Sequence, residues 1–594
     1  MVLAGPGSGK TMVITWRVKN LIEEEHIPEE QILVITFTKA AALEMKERFL
    51  ALRETGHTRV NFGTFHAVFF TILKHAYHLN GSNIIRDEVR YQAMKEIIHR
   101  QGFTYEDEKD FILELLSEIS LVKGSRIELS NYYSQNCADE VFRRIYKEYA
   151  HFLEREKLID FDDMLVLCLE LLTQREDILA VWQNKFRYIL IDEFQDINLV
   201  QYEIIRMLAK PQENLFIVGD DDQSIYRFRG AKPEIMLNFP VDYPQYRRLT
   251  LSSNYRSSPP ILEAAGCLIG HNIHRFDKKP LPVREEGSPV IIRRYDTLAL
   301  QNQGIAQEIL QLTKEGVPYN RMAVLVRTNL GSGSLLHKLM EYNIPFRMKD
   351  NLPNLFDHWI TSDILAYIRL GRGANQRSLY LQIINRPKRY VSRDFFDSPE
   401  VDFEEIKAYY EDKNWMLERL EQLEYDLGML GAMTPYAAVN YIRRGIGYEE
   451  YLTEYAKLRR MKPEELFDVL DELQESAKGY SDFDGWLRHM EDYREELKRQ
   501  ASEYRENHLD SIQIMTMHSA KGLEFDTVFI PDAEEGITPH KKAVLDADIE
   551  EERRLFYVAM TRAMNRLYIF GSGERYNKTL QRSRFLDEIE RKKG

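Results

Sequence analysis

At 594 residues the chain exceeds what one hydrophobic core supports, and at roughly 150 residues per domain it divides into about four units. Hydrophobic residues make up 44% and charged residues 29%, which excludes a wholly disordered or fibrous chain. A formal net charge of −14 excludes a molecule that attracts polyanions over its whole surface, so any nucleic-acid contact belongs to a local groove.

The chain opens on a strand end, the loop Leu3-Ala4-Gly5-Pro6-Gly7-Ser8-Gly9-Lys10-Thr11 and a helix-like segment from Met12 onward, the order of a P-loop. Gly5, Gly7 and Gly9, with Ser8, let backbone N–H groups turn on phosphate oxygens, while Lys10 adds a point charge and the Thr11 hydroxyl can hold magnesium. Ala4 replaces the first glycine of the strict pattern. A glycine-rich turn without a ligand is the bland alternative, and the Gly-Lys-Thr ending before a helix argues against it.

Continuous apolar runs at 32–37, 188–191, 215–218, 322–326, 528–530 and 567–570 read as strands buried on both faces, hence parallel sheets. Between the first two lies a helix-period stretch, about 77–185, with spacings such as Phe111, Leu115 and Ile119 or Val141, Ile145 and Tyr149; it reads as an insertion. The run at 188–191 delivers Asp192 and Glu193 at its carboxyl end, where α/β sheets bind ligands. Asp192 is the candidate metal partner and Glu193 the candidate base for an attacking water. An Asp-Glu pair after a strand can also be a helix cap, but Asp192, Glu193 and Asp196 would repel one another without a cation. Pro280-Leu281-Pro282, followed by Glu285, Glu286 and Gly287, reads as a connector, and a second helix-rich, charged stretch runs from about 370 to 504 before β patterning resumes at Ile512. Cys137, Cys168 and Cys267 lack CxxC spacing, which argues against a disulfide framework or zinc site and fits a reducing cytoplasm. No apolar run approaches 18 residues and no signal peptide is evident, so neither secretion nor membrane insertion is expected.

The segment Gly219-Asp-Asp-Asp-Gln223-Ser-Ile-Tyr226-Arg-Phe228-Arg-Gly230-Ala231 closely resembles motif III of the UvrD, Rep and PcrA group of superfamily 1A DNA helicases. Asp192-Glu-Phe-Gln-Asp196 resembles their motif II, Thr36 to Met45 motif Ia, Gly63-Thr-Phe-His66 motif Ib, Asn254-Tyr-Arg-Ser257 motif IV, Thr516 to Phe525 motif V and Glu552 to Ala563 motif VI. The resemblance implies two RecA-like P-loop motor domains in an α/β fold, each interrupted by a mainly helical subdomain, with ATP and magnesium between the motors. On this reading the first motor spans 1–77 and 181–270 with its insertion at 78–180, and the second spans 271–369 and 505–594 with its insertion at 370–504. It further implies that Arg256 and Arg562 are arginine fingers, that Gln223 senses the γ-phosphate, that Tyr255 stacks on adenine and that Glu524 bonds the ribose. Phe37, Phe65, His66, Tyr226 and Phe228 are the candidate contacts to single-stranded DNA, because every base offers a π-face. Burial in the core is the competing reading for Phe37 and Phe65, whereas Arg227 and Arg229 mark a wet loop around Tyr226 and Phe228. The implied activity is ATP-driven 3′ to 5′ movement on single strands, with unwinding at junctions with duplex, in DNA repair, replication or recombination.

Two departures stand out. The adenine-reading Gln segment of the group lies upstream of the P-loop, where this chain has not yet begun, and Met12 stands where the group has Arg, so relaxed nucleotide selectivity is one expectation and a truncated start the other. The Arg-Gly-Ile-Gly element of the second insertion corresponds to Pro387-Lys-Arg389-Tyr-Val-Ser392, which loses the glycines. It lies in a run with Arg369, Arg372, Arg377, Arg386, Lys388, Arg389 and Arg393 and no acidic residue, a candidate duplex-binding patch or simply a solvated face. The rival functions are a motor subunit of a RecB- or AddA-like nuclease–helicase, for which little sequence follows motif VI, and a non-catalytic DNA-binding remnant.

Overall fold

The structure, a computed structural model, describes every residue except 55, 103–104, 211, 329–331, 350–353, 394–395, 504–509 and 591–594. Strands β1 (Val2–Ala4), β2 (Ile32–Thr36), β3 (Asn61–Thr64), β4 (Tyr188–Ile191), β5 (Leu215–Gly219) and β6 (Leu249–Leu251) form a parallel sheet in the order β3-β2-β4-β5-β1-β6. Helices cover both of its faces, which is why β2 is fully buried and apolar up to Thr36 and most of β4 is apolar and buried. A short parallel pair, β7 (Ser253–Asn254) with β8 (Leu281–Pro282), follows. The second sheet contains β9 (Ile291–Thr297), β10 (Met322–Val326), β11 (Phe346–Met348), β12 (Ile512–Thr516), β13 (Phe525–Ile530), β14 (Ala563–Arg575) and β15 (Lys578–Thr579). Its order is β11-β12-β10-β13-β14, with β9 parallel and β15 antiparallel to β14. Two parallel α/β units with helical excursions are therefore present, as the apolar runs require. No described helix is long and apolar enough to cross a membrane.

The unit boundaries differ from those expected, and packing gives the reason each time. Helices Asp87–Arg100, Glu108–Ser125 and Asp139–Glu156 bury Met94, Ile97, Phe111, Leu115, Phe142 and Ile145 in a core of their own. Helix Phe161–Gln174, by contrast, packs Met164, Leu165, Cys168 and Leu172 against Phe65, Phe69 and Ile191 of the first motor, so the insertion ends near Leu158 rather than at 180. Helix Pro259–Ile269 buries Ile261, Ala265 and Leu268 against Leu555, Ala559 and Leu586 of the second motor. The chain therefore crosses between motors before Pro259, not at 270. The expected 369/370 boundary falls inside helix Trp359–Gly371, which packs on helices Arg377–Ile383 and Asn414–Leu430 of the second insertion. The 504/505 boundary lies outside the described residues. The second insertion is continuous with its motor: Leu420, Leu470 and Trp486 share one apolar core with Val324, Phe529 and Phe570.

Candidate functional site

The loop after β1 turns through left-handed glycines, Gly7 at φ 64° and Gly9 at φ 86°, before helix Lys10–Glu23 begins. A Cβ on Gly7 would meet the Cβ of Arg256 at 2.6 Å, so glycine is required there by space as well as by φ. Asn254, buried at β7, fastens the loop to the segment that carries the first arginine. Its Nδ2 donates to the Pro6 carbonyl at 2.5 Å, and its Oδ1 accepts from the N–H groups of Arg256 (2.9 Å) and Ser257 (2.8 Å). The Tyr255 N–H donates to the Gly7 carbonyl at 2.9 Å, and the Tyr255 ring is left 63% exposed beside the loop, with Met12 also exposed. The Ser8 hydroxyl donates to the Gly5 carbonyl at 2.7 Å, closing the loop on itself.

Opposite the loop, Lys10 Nζ lies 3.2 Å from a Glu193 carboxylate oxygen. Glu193 sits at φ 50°, an αL conformation unusual for a residue with a side chain, immediately past β4. Burial pushes its carboxyl up, but Lys10, Lys521 and a 2.5 Å hydrogen bond from Gln195 outweigh burial and hold it at about 2, so Glu193 is ionised. Asp192 is the opposite case: burial first, then the Glu193 charge, push it up to about 7, and its Oδ1 is buried without a hydrogen-bond partner. An orphaned, buried carboxylate oxygen just past the end of a strand suits a hard divalent cation, so Asp192 fits the expected metal role, in which the Thr11 hydroxyl would be the other protein oxygen. Asp196 is raised to about 6 by burial, against the pull of Lys521. Lys521, from the second motor, binds Asp196 and donates to the Gln223 carbonyl at 2.8 Å, so it spans the two motors. Lys521 lies within the segment that resembles motif V, yet nothing in its spacing predicts its partner; only the fold brings it to Asp196.

Arg256 lies against the P-loop, and Arg562 lies near enough to feel the charges of Arg256 and Glu193. Arg256 Nε donates to Glu524 at 2.8 Å, which engages the carboxylate expected to bond a ribose. Arg562 is 1% exposed, and its guanidinium donates to the carbonyls of Val558 (2.9 Å) and Leu523 (3.2 Å) and to the Thr561 hydroxyl (3.2 Å). Among the described residues no carboxylate lies within 4.0 Å of it. Burial, and then the nearby Arg256 charge, push Arg562 down to about 9, still cationic at neutral pH. Gln223 is buried, and its Nε2 donates to Asp220 at 2.6 Å.

The aromatic candidates divide. Phe228 is 49% exposed, with its ring 6.1 Å from Tyr226 and the Arg229 guanidinium 5.4 Å from both. His518 of the second motor meets Phe228 edge-on at 5.4 Å; burial pushes it down to about 4, so it is a neutral aromatic surface that the sequence reading missed. His66, depressed by burial, packs on Phe161 at 5.4 Å, and Phe37 is half-buried. The expectation for Phe65 is corrected: it is 1% exposed between Phe37 and Phe69, a core ring that supports Phe37 rather than a platform. The basic run of the second insertion is also thinner than its sequence. Arg389 is buried, donating to the carbonyls of Ile383, Ile384 and Pro387, and Arg386 pairs with Asp363 and Glu106. Arg369, Arg372, Arg377, Lys388 and Arg393 remain at the surface.

A phosphate loop faced by guanidinium groups, one of them carried by a second sheet, is the arrangement of a two-motor P-loop nucleoside triphosphatase. The family model described as the UvrD/REP helicase N-terminal domain matches residues 1–244, and that of the UvrD-like helicase C-terminal domain matches 249–573. The chain belongs to this UvrD/Rep helicase family. The break between the two matches falls just before β6, the last strand of the first sheet, a few residues ahead of the crossing to the second motor. Over 99% of its length it is similar to the putative ATP-dependent DNA helicase YjcD of Bacillus subtilis, 34% identical and covering 78% of that protein. It is likewise similar to the ATP-dependent DNA helicase PcrA of Staphylococcus epidermidis, 32% identical over 84% of it, and to the ATP-dependent DNA helicase Rep of Escherichia coli, 31% identical over 91%.

Proposed function

We propose that this helicase couples ATP hydrolysis to 3′ to 5′ movement along single-stranded DNA and unwinds duplex at the junction, in DNA repair, replication or recombination. The observation that carries the reading is Arg562, a buried cation with only neutral hydrogen-bond acceptors that feels the charges of Arg256 and Glu193. Such a group is stabilised by an anion, and the γ-phosphate of a nucleotide on the P-loop supplies one. Lys10 then exchanges its contact with Glu193 for phosphate oxygens, leaving the ionised Glu193 to orient the attacking water. Arg256 and Arg562 neutralise charge on the transferring phosphoryl group, and Tyr255 stacks on the base. Thr11 and Asp192 would hold magnesium, which would supply further positive charge at the phosphates.

Because Lys521 bridges Asp196, Gln223 and the face of Tyr226, changes at the phosphate are felt by the strand path. Tyr226, Phe228, His518, His66 and Phe37 give a sequence-tolerant track over which the closing and opening motors draw the strand. Phosphate release with and without single-stranded DNA tests the motor, and strand displacement on 3′-tailed against 5′-tailed duplexes tests direction. Stimulated hydrolysis and displacement of the 3′-tailed substrate alone are expected. Unstimulated or absent hydrolysis would favour a remnant, and preference for 5′ tails would overturn the direction.

A further inference from the structure

Three consecutive aspartates, Asp220, Asp221 and Asp222, follow β5 of the first motor and are buried at 0–1% exposure. Carboxylates so placed need cations, and these arrive from residues 275–278. Lys278 Nζ lies 2.5 Å from Asp220 and 3.0 Å from Asp222 and also binds Asp221; Arg275 grips Asp222 with two hydrogen bonds of 2.9 and 2.7 Å, and the Phe276 N–H donates to Asp221 at 2.9 Å. The segment supplying them is clamped to the second motor. Asn272 donates to the Glu550 carbonyl at 3.0 Å, the Ile273 N–H donates to the Glu550 side chain at 2.6 Å, and Arg553 and Arg554 donate to Asn272 and to the His274 carbonyl. Glu550, Arg553 and Arg554 all lie on helix Asp546–Met560, which ends two residues before Arg562.

From the aspartates, two side chains lead back to the chemistry. Asp220 accepts from Gln223 Nε2 at 2.6 Å, which leaves the Gln223 amide oxygen as the free end of that side chain. The Asp220 N–H donates to Gln195 Oε1 at 2.9 Å, and Gln195 Nε2 donates to Glu193 at 2.5 Å. Gln195 is fully buried, and a Cβ on Gly219 would meet its Oε1 at 2.7 Å, so the sequence keeps this approach open. A cavity of about 50 Å³ lies between the cluster and Gly5 of the P-loop.

We infer that Lys278, assisted by Arg275, is a positioning residue for ATP hydrolysis: it ties the helix that leads into Arg562 to Asp220, and through Asp220 it fixes Gln223 and Gln195 against Glu193. The inference rests on the proposed ATPase and adds a residue to it. The ion cluster is the pivot that both motors keep while the cleft opens and shuts, since separating it would bare five buried charges.

The test is DNA-stimulated hydrolysis by the full chain carrying Lys278→Met, with folding checked by thermal melting. The expected result is a kcat lower by about 10-fold or more with KM for ATP within about two-fold of the parent, because the geometry of attack is lost while the P-loop is not. Adding Asp221→Asn, which removes one of the carboxylates left uncompensated, is expected to recover most of that kcat. A folded Lys278→Met chain with parental kcat overturns the inference. So does a double variant that regains the parental melting temperature without regaining kcat, which would mark Lys278 as serving stability alone. If Lys278→Met does not fold, Gln195→Ala gives the answer with the ion cluster intact: a comparable fall in kcat is expected, and an unchanged kcat overturns the inference. An inactive parent chain would instead sink the proposed function.

Discussion

Arg562 is the side chain whose surroundings make least sense without an anion. A guanidinium shut away from water with two carbonyls and a hydroxyl as partners has its hydrogen bonds partly met and its charge unmet. Arg562→Ala is accordingly expected to lower kcat for ATP about 10²-fold or more while changing nucleotide affinity far less, since the charge it answers grows in the transition state. Steady-state kinetics beside equilibrium nucleotide binding checks this, and equal losses in both would remove Arg562 from the chemistry. A second residue offers a test of burial itself. Glu534 is 1% exposed with Oε2 unpartnered; burial, and then the Asp532 charge, push it up to about 8, so it is neutral at pH 7 in the fold. A free Glu titrates near ~4.3, so the folded state holds the extra proton between these values; the contribution of Glu534 is complete below about 4.3 and is lost as pH rises to about 8. Thermal melts from pH 5 to 9 are expected to show Glu534→Gln gaining on the parent up to pH 8 and keeping a constant lead above it. A pH-independent difference would show that the carboxyl is not neutral in the fold.

Between elements, the contact that ties the two helical insertions together is dense and polar. Arg459, 2% exposed, donates to Asp107 at 2.8 Å and Glu114 at 3.0 Å and lies 4.2 Å over the Phe111 ring, while the Tyr455 hydroxyl bonds Asp107. Breaking one partner of such a buried pair costs about 3–5 kcal/mol. Because the first insertion has its own core, Arg459→Ala is expected to separate the insertions rather than unfold them. Hydrogen exchange would then rise at 105–114 and 451–460 and stay unchanged in β2, β4 and β10; a global loss of protection would refute separable docking. The same distinction, between owning an apolar face and knowing what covers it, sets how far the sequence could be read. The runs that became β2, β4, β5, β10, β13 and β14 were legible because a strand buried on both faces is apolar throughout. β3 is half-buried along its length and left no such trace. Helices Phe161–Gln174 and Pro259–Ile269 announce an apolar stripe, yet periodicity cannot say which core receives it, and both were given to the wrong unit. In the site, Lys10, Asp192 and Glu193 were legible from contiguous motifs. Lys521, Lys278, His518 and, through the Asp220 N–H, Gln195 meet partners outside their own motifs, which spacing alone does not reveal.

Seen as one body, the protein must hold a polyanionic strand while carrying a net charge of −14. The general field therefore opposes binding, and on the proposed strand path attraction comes from short-range contacts around Tyr226, Phe228 and His518. There the structure offers more π-surface than charge: Tyr226, Phe228 and His518 with Arg227 and Arg229, of which Arg227 already faces Glu234 at 3.9 Å. Stacking does not release counterions, whereas each phosphate contact on a single strand contributes about −0.7 to the slope of log K against log salt. Affinity for single-stranded DNA is thus expected to fall only gently with salt, with a slope of about −2 or shallower. The two kinds of contact then separate cleanly. Phe228→Ala is expected to weaken binding by about 1–3 kcal/mol at every salt concentration and leave the slope unchanged, because it removes a platform and no charge. Arg229→Ala is expected to make the slope shallower by about 0.7, with a loss that shrinks as salt rises. Fluorescence anisotropy titrations between low and moderate salt measure both. A steep slope in the parent chain, or one that Phe228→Ala changes and Arg229→Ala does not, would mean that the strand runs over a different, basic surface.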